Sequence, residues 1–226
     1  GRWPADVFSG DTLFARYSIS SATAGIDLGT QFTKYGQLRL GVVGGQAKAD
    51  LDIGSPVLNA FDLKRDIGAV QARLYLDQID STSFPRSGYA LRAKVVGSTT
   101  ALGASESYGR WFGDGVVAQS FGRHTFQVAV AGGSAAGGNP LPLYDYFSYG
   151  GFLRMSGYRD GQLRNDSIAY GRLMYYNRLF SVPLLEGVYA GATLEGARLG
   201  NPLVPTGIDG NVASLGLFFG VDTPLG

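Results

Sequence analysis

The sequence predicts an all-β protein, an antiparallel up-and-down transmembrane β-barrel represented by about ten consecutive strands. Three observations carry that reading. Apolar and polar residues alternate with period two along most of the chain. The connections between alternating segments are themselves by turns short and long. Glycine supplies 35 of 226 residues and aromatics 12%, whereas charged residues reach only 16%, against about 25% in ordinary soluble domains. Disordered chains lack aromatics and carry more charge, and each glycine would cost about 1 kcal/mol inside a helix.

The alternating segments fall at 13–19, 25–32, 37–43, 70–77, 89–95, 107–121, 125–131, 168–179, 188–195 and 213–221. In 37–43 Leu38, Leu40 and Val42 share one face, with Gln37, Arg39 and Gly41 on the other. In 70–77 Val70, Ala72, Leu74 and Leu76 alternate with Gln71, Arg73, Tyr75 and Asp77. Tyr89, Leu91, Ala93 and Val95 alternate with Ala90, Arg92 and Lys94, and Val188, Ala190, Ala192 and Leu194 with Tyr189, Gly191, Thr193 and Glu195. The stretch 107–121 alternates less cleanly but holds strand-forming residues.

Short turns are expected at 33–36, 81–87, 122–123 and 181–186, and long connections at 48–66, 139–164 and 200–211. Those near 20–24 and 98–107 are intermediate. Outer-membrane barrels show this asymmetry, with short periplasmic turns and longer external loops.

Alternation alone leaves open whether the apolar face is a core or a lipid surface. The polar parity is filled with Gly, Ser, Thr, Gln, Tyr and scattered charges, among them Arg16, Asp27, Arg39, Arg73, Arg92, Lys94, Arg172 and Glu195. That mix suits a hydrated lumen. The apolar parity is nearly free of charge and rich in small residues such as Ala72, Ala93, Ala190 and Ala192, which would fill a soluble core poorly. A soluble β-barrel binding protein is the weaker alternative; it predicts solubility without detergent. A spanning sheet must close on itself, because an open edge leaves backbone groups unpaired in hydrocarbon.

The net charge of +1 gives no expectation of nucleic-acid binding. Cysteine is absent and His124, in a short turn, is the only histidine, so thiolate and His-rich metal sites are excluded. Residues 132–136 approach a nucleophile elbow, but the fifth position is Ala136 and no strand-to-helix transition surrounds them. The loop acids Asp145, Asp160 and Asp166 lack calcium-loop spacing. The expectation is therefore no catalytic, cofactor-binding or metal site. Tyr144, Tyr146, Phe147 and Tyr149, with Trp111, Phe112, Tyr175, Tyr176 and Phe180, are expected in interfacial aromatic girdles.

Three stretches carry a resemblance. Residues 83–89, Ser-Phe-Pro-Arg-Ser-Gly-Tyr, resemble a Phe-Pro-x-x-Gly turn, with Phe84, Pro85 and Gly88 in the motif places. Residues 149–164 resemble a long external loop that folds back into the lumen and carries Val-Arg-Gly-Phe/Tyr; here the corresponding run is Arg154, Met155, Ser156, Gly157 and Tyr158. Residues 222–226 resemble the turn before the last two strands. All three belong to the bacterial surface antigen superfamily of outer-membrane barrels, which includes BamA, TamA and the TpsB pores. The position of the motif arginine holds Ser156, and the Ser-Gly-Tyr variant is similar to the barrel of patatin-like, PlpD-type proteins.

The resemblance implies a 16-stranded parent, with residues 1–226 forming one outer-membrane barrel segment incomplete at both ends. It implies residence in the bacterial outer membrane. Its partners would be the lipid bilayer and an attached passenger domain or protein client that the barrel anchors, translocates, inserts or displays. A homo-oligomer is left open, a passive channel or porin is the alternative function, and any lipase activity would belong to an upstream domain. Arg154 is the expected substitute for the missing motif arginine, with Glu195 as its lumenal partner.

Overall fold

The computed structural model describes residues 1–54, 64–182 and 185–222. Among the described residues twelve strands appear in chain order: β1 (Arg2–Ser9), β2 (Thr12–Thr33), β3 (Gly36–Ile53), β4 (Lys64–Asp77), β5 (Ser87–Ser98), β6 (Tyr108–Phe121), β7 (His124–Ala136), β8 (Phe147–Tyr149), β9 (Leu163–Asn165), β10 (Ser167–Val182), β11 (Leu185–Leu199) and β12 (Gly210–Asp222). Ten of them form one antiparallel sheet in the order β1-β2-β3-β4-β5-β6-β7-β10-β11-β12, and β8 pairs with β9 in a separate ribbon. Among the described residues β1 and β12 do not pair with each other, and the sheet is open there. Each main-sheet neighbour is also a sequence neighbour, apart from the insertion that carries β8 and β9 between β7 and β10.

The apolar parity faces outward, as the sequence predicts. Leu28 and Leu217 are each 80% exposed, and Leu38, Leu40, Val42, Leu91, Val95, Val128, Leu173, Leu194 and Phe219 share that surface. Opposite these outward rows the inner face carries ion pairs. Asp27 accepts from Arg39 at 2.9 Å and from Arg73 at 2.6 Å, and Arg92 donates to Asp114 at 2.8 Å. A soluble core would invert this arrangement, because ionised groups would then be buried and leucines wet.

The expected ten strands are ten in number, but their boundaries differ at the start. Residues 13–19 and 25–32 belong to one 22-residue strand, β2, and β1 is a further strand that the alternation did not predict. The apolar parity changes along β2. Ala15, Tyr17 and Ile19 are buried on the inner face, whereas Ile26 and Leu28 point outward. Backbone parity is continuous, so the change is one of environment. A membrane crossing uses only about 9–11 residues of a tilted strand. The rest of β2 stands beyond the hydrocarbon, where its inner face packs on external loops and its outer face meets water.

The same extension accounts for β3 and β4. Both ends of the expected connection 48–66 are strand, since β3 continues to Ile53 and β4 begins at Lys64; residues 55–63 lie outside the described residues. On the outer face of this region Arg16 and Asp6 form a two-bonded pair at 2.5 and 2.7 Å. That pair holds the Asp6 carboxyl below the usual carboxylate range. The expected turn at 222–226 lies outside the described residues beyond Asp222.

The girdle expectation holds for part of the aromatic set. Trp111, Tyr175 and Phe180 are exposed on the outer face, joined by Phe32, Tyr89, Phe121 and Phe126. Phe147, Tyr149 and Tyr176 are instead buried. Phe112 packs on Phe147 with centroids 5.9 Å apart, so that pair serves the interior rather than the lipid boundary. Residues 132–136 lie within β7 rather than at a strand-to-helix turn. His124 sits at the start of β7 and its Nδ1 is 2.7 Å from the Tyr175 hydroxyl.

Leu40→Arg, in the middle of the outward row on β3, is expected to destabilise the inserted barrel by about 2–4 kcal/mol. Gln71→Arg, one position across in register from the lumenal Gly41, is expected to cost under about 1 kcal/mol, since lumenal substitutions leave the lipid face intact. Urea unfolding in lipid vesicles measures both; equal losses would mean that the two faces are not lipid and water.

Candidate functional site: a lumenal plug

The insertion between β7 and β10, residues 137–166, folds against the polar face of the sheet. Pairing of β8 with β9, Phe147 with Asn165 through Tyr149 with Leu163, makes it a narrow hairpin with a wide tip. Its apolar residues build their own core: Leu141, Phe147, Tyr149, Met155 and Leu163 pack with Tyr108, Ile168, Tyr170 and Leu199 of the wall. Met155 is 0% exposed.

The neck of the hairpin is tied to the external loops. Asn165 Nδ2 donates to the carbonyls of Gly200 and Ile208, both at 2.9 Å. Gln162 Nε2 donates to Gly10 O at 3.1 Å and Asp11 Oδ1 at 3.0 Å in the β1–β2 turn. Asp166 accepts from Asn201 N and Nδ2. At the outer edge of β6 the Tyr108 hydroxyl donates to Asp145, and burial with that carboxylate pushes the phenol well above its usual range, so it remains a donor.

The tip is held by one carboxylate. Glu195, on β11 and 1% exposed, accepts from Ser156 N at 2.5 Å, Ser214 Oγ at 2.7 Å and the Tyr170 hydroxyl at 2.9 Å. These are charge-assisted bonds shielded from bulk water, about twice as strong as neutral ones. Arg172 Nη1 donates to the carbonyl of Leu153 at 2.7 Å, and the single proton of the Tyr170 hydroxyl is shared between that carbonyl and Glu195 Oε1, each 2.9 Å away. Arg172 also donates to Gln127 Oε1 at 2.5 Å. Leu153 and Met155 both take positive φ, 61° and 75°, a conformation that costs non-glycine residues of order 1–3 kcal/mol and persists only where the surroundings enforce it. Gly157 lies against Ser214, where a Cβ would come within 3.1 Å of that side chain.

Of the sequence-predicted residues, Ser156, Gly157 and Glu195 meet at this point. Arg154 does not join them. Its Nη2 donates to Ser148 O at 2.9 Å and its guanidinium lies 4.7 Å from the centroid of Tyr149. The expected Arg154–Glu195 pair is therefore absent, and the physical reason is the turn itself. With positive φ at both 153 and 155 the run is not extended, so Arg154 projects back along the hairpin while the backbone N–H of Ser156 reaches the carboxylate. Tyr158 packs at the margin of the plug core. Phe84 and Pro85 reach the inner face of β10–β12, and Gly88 takes φ 105° at the end of their turn. Tyr170, Arg172, Gln127 and Ser214 were not singled out as partners of the loop. The inward parity of β10 contained the signal for the first two, but not their target.

Beside the plug lies a cavity of about 700 Å³ lined by charged residues that include Arg92, Lys94, Asp114, Arg154 and Arg172. The plug thus occupies part of the lumen and leaves a cavity with charged residues in its wall along β4–β7.

A family model for the Omp85 superfamily domain matches residues 4–196. The chain belongs to the Omp85 superfamily. It is an outer-membrane β-barrel protein of bacteria, as the resemblance implied. Among solved structures, BamA from Haemophilus ducreyi lacking POTRA domains 1-3 superposes with a TM-score of 0.75 at 12% identity, over 99% of this chain and 51% of that one. CdiB from Escherichia coli superposes with a TM-score of 0.61 at 15% identity, over 90% of this chain and 40% of that one. The Omp85 chain described here therefore spans about half the length, or less, of these two structures. No curated relative matches it in sequence.

Glu195→Ala strands the Ser156 N–H and the Ser214 hydroxyl at the plug tip, at about 1–3 kcal/mol for each buried group left unpaired, while Tyr170 keeps the Leu153 carbonyl, and is expected to make residues 150–160 sensitive to external protease. Arg154→Ala removes one carbonyl contact and one cation–π contact and is expected to leave cleavage within about twofold of the parent. Limited proteolysis of intact cells ranks the two; a larger effect from Arg154→Ala would restore the arginine as the principal anchor.

Proposed function

We propose that this Omp85 barrel anchors, and translocates, inserts or displays, an attached domain or other protein client, and that residues 137–166 keep its lumen closed between events. The observation that carries the reading is the fixation of the hairpin tip by Glu195, reinforced by Arg172 and Tyr170 on the Leu153 carbonyl. A hairpin fixed in the lumen against backbone strain suits a barrel that must pass or shelter a polypeptide and needs a closure that can be released. Release is supported by the nature of the contacts. They are hydrogen bonds to one carboxylate and one carbonyl, each replaceable by water or by a client backbone once the plug moves.

The client is proposed to be a patatin-like domain, on the likeness of the Ser156-Gly157-Tyr158 run to the PlpD branch. No catalytic role is assigned to this chain; lipase chemistry would lie in the attached domain. The polar cavity beside the plug favours a second reading, a passive channel with charged walls.

Conductance in planar bilayers separates the two. The full-length protein is expected to conduct weakly until residues 139–164 are deleted, and then to open by about an order of magnitude, since the polar lumen of a large barrel is otherwise water-filled. Equal conductance before and after deletion would favour the channel. Surface labelling of the attached domain, lost on replacement of the barrel by an unrelated anchor, would test display.

A further inference from the structure

The inward face of β10 carries a row of four side chains, Tyr170, Arg172, Met174 and Tyr176, each about 7 Å from the next. The upper pair grips the plug through the Leu153 carbonyl. The lowest grips something else. The Tyr176 hydroxyl donates to the carbonyl of Pro85, in the turn 78–86 between β4 and β5. In sheet order β10, β11 and β12 lie three to five strands away from β5, so this turn folds inward beneath the lumen to reach them. Phe84 stacks on Tyr189 of β11 with centroids 4.2 Å apart and planes 8° apart, and meets Tyr176 edge-on at 5.8 Å. The wall is shaped to receive it: a Cβ on Gly220 of β12 would collide with the Phe84 ring. The turn is braced by Arg86 N donating to Asp80 Oδ1 and Ser120 Oγ donating to Arg86 O, both at 2.8 Å.

Plug and turn share one aromatic floor. Met174, Tyr176 and Tyr189 form a buried cluster against which Leu153 of the plug, Phe84 of the turn and Phe218 all pack. Leu153 is also a residue held at positive φ. Its backbone geometry lasts only while its surroundings over-determine it, and the cluster is part of those surroundings.

We propose that Phe84 is a positioning residue for the plug, seating it from the periplasmic side, so that displacement of the turn 78–86 unseats the external hairpin. The inference rests on reading residues 137–166 as a seated plug. It gives the family-type Phe-Pro turn a task beyond starting a strand: it couples events at the periplasmic mouth to closure of the lumen.

The chain has no cysteine, so Met155→Cys, at a fully buried position, reports seating by maleimide labelling of the full-length protein in outer membranes. Phe84→Ala in that background is expected to raise the labelling rate about tenfold, the scale of one lost aromatic pair acting on a local opening. Phe84→Trp is expected to restore most of the protection. Tyr176→Phe keeps the ring but loses the bond to Pro85, and is expected to raise labelling by a smaller factor. Glu195→Gln is the comparison. If it raises labelling while Phe84→Ala and Tyr176→Phe leave the rate unchanged, the coupling is overturned and the plug reading stands. If Met155→Cys labels freely in every background, the plug reading itself falls. Should Phe84→Ala fail to assemble, Tyr176→Phe decides alone.

Discussion

Hydrocarbon offers no hydrogen bonds, and that constraint organises the molecule. Every backbone N–H and C=O at membrane depth must find a partner within the protein. Antiparallel pairing satisfies them between each pair of neighbours from β1 to β12, and among the described residues only the outer edges of β1 and β12 are without a sheet partner. Backbone that is not strand can lie only in the lumen or beyond the bilayer, and the long insertion 137–166 takes the lumen. Once the sheet is committed, side-chain alternation follows from the pleat. One face meets lipid and the other meets water, which is why Leu28 and Leu217 are bare while Asp27, Arg39 and Arg73 pair with one another.

The lumen then sets a second problem. A hairpin placed there is surrounded by polar side chains and water, so burial alone holds it weakly. The structure concentrates its fixation at a few sites: Glu195 on the backbone of Ser156, and Tyr170 and Arg172 on the carbonyl of Leu153. Positive φ at Leu153 and Met155 makes those sites work against backbone strain. A closure built this way is stable when all contacts are present and loses several together when one is removed, because the same turn presents both the Leu153 carbonyl and the Ser156 N–H.

Much of the wall was legible in the sequence. The rows Leu38-Leu40-Val42, Tyr89-Leu91-Ala93-Val95 and Val188-Ala190-Ala192-Leu194 announce strands because period two has no other common cause. The start of the chain was misread where one strand passes from water to lipid. Ala15, Tyr17 and Ile19 are apolar toward the external loops and Ile26 and Leu28 toward the bilayer. A change of apolar parity looks like a break when only hydropathy is read. The site was partly legible too. Ser156 and Gly157 were picked out by resemblance and Glu195 as a lumenal partner, but the group assigned to Glu195 was Arg154, two residues before the motif position, and the structure uses the backbone N–H of Ser156.

By itself the sequence determined which face of each strand is apolar, where the glycines and turns allow the chain to reverse, and which family pattern the loop carries. Those are local properties, set by the pleat and by turn chemistry, and they survive without knowledge of neighbours. Tertiary structure alone decided which residues hold the plug. Tyr170, Ser156, Glu195 and Ser214 come from three strands and a loop, and they meet because registry and curvature bring them together. It also decided that Phe84 and Leu153, about seventy residues apart, rest on the same rings. Long-range contact is a property of the assembled, curved wall, and no segment of the chain encodes it locally.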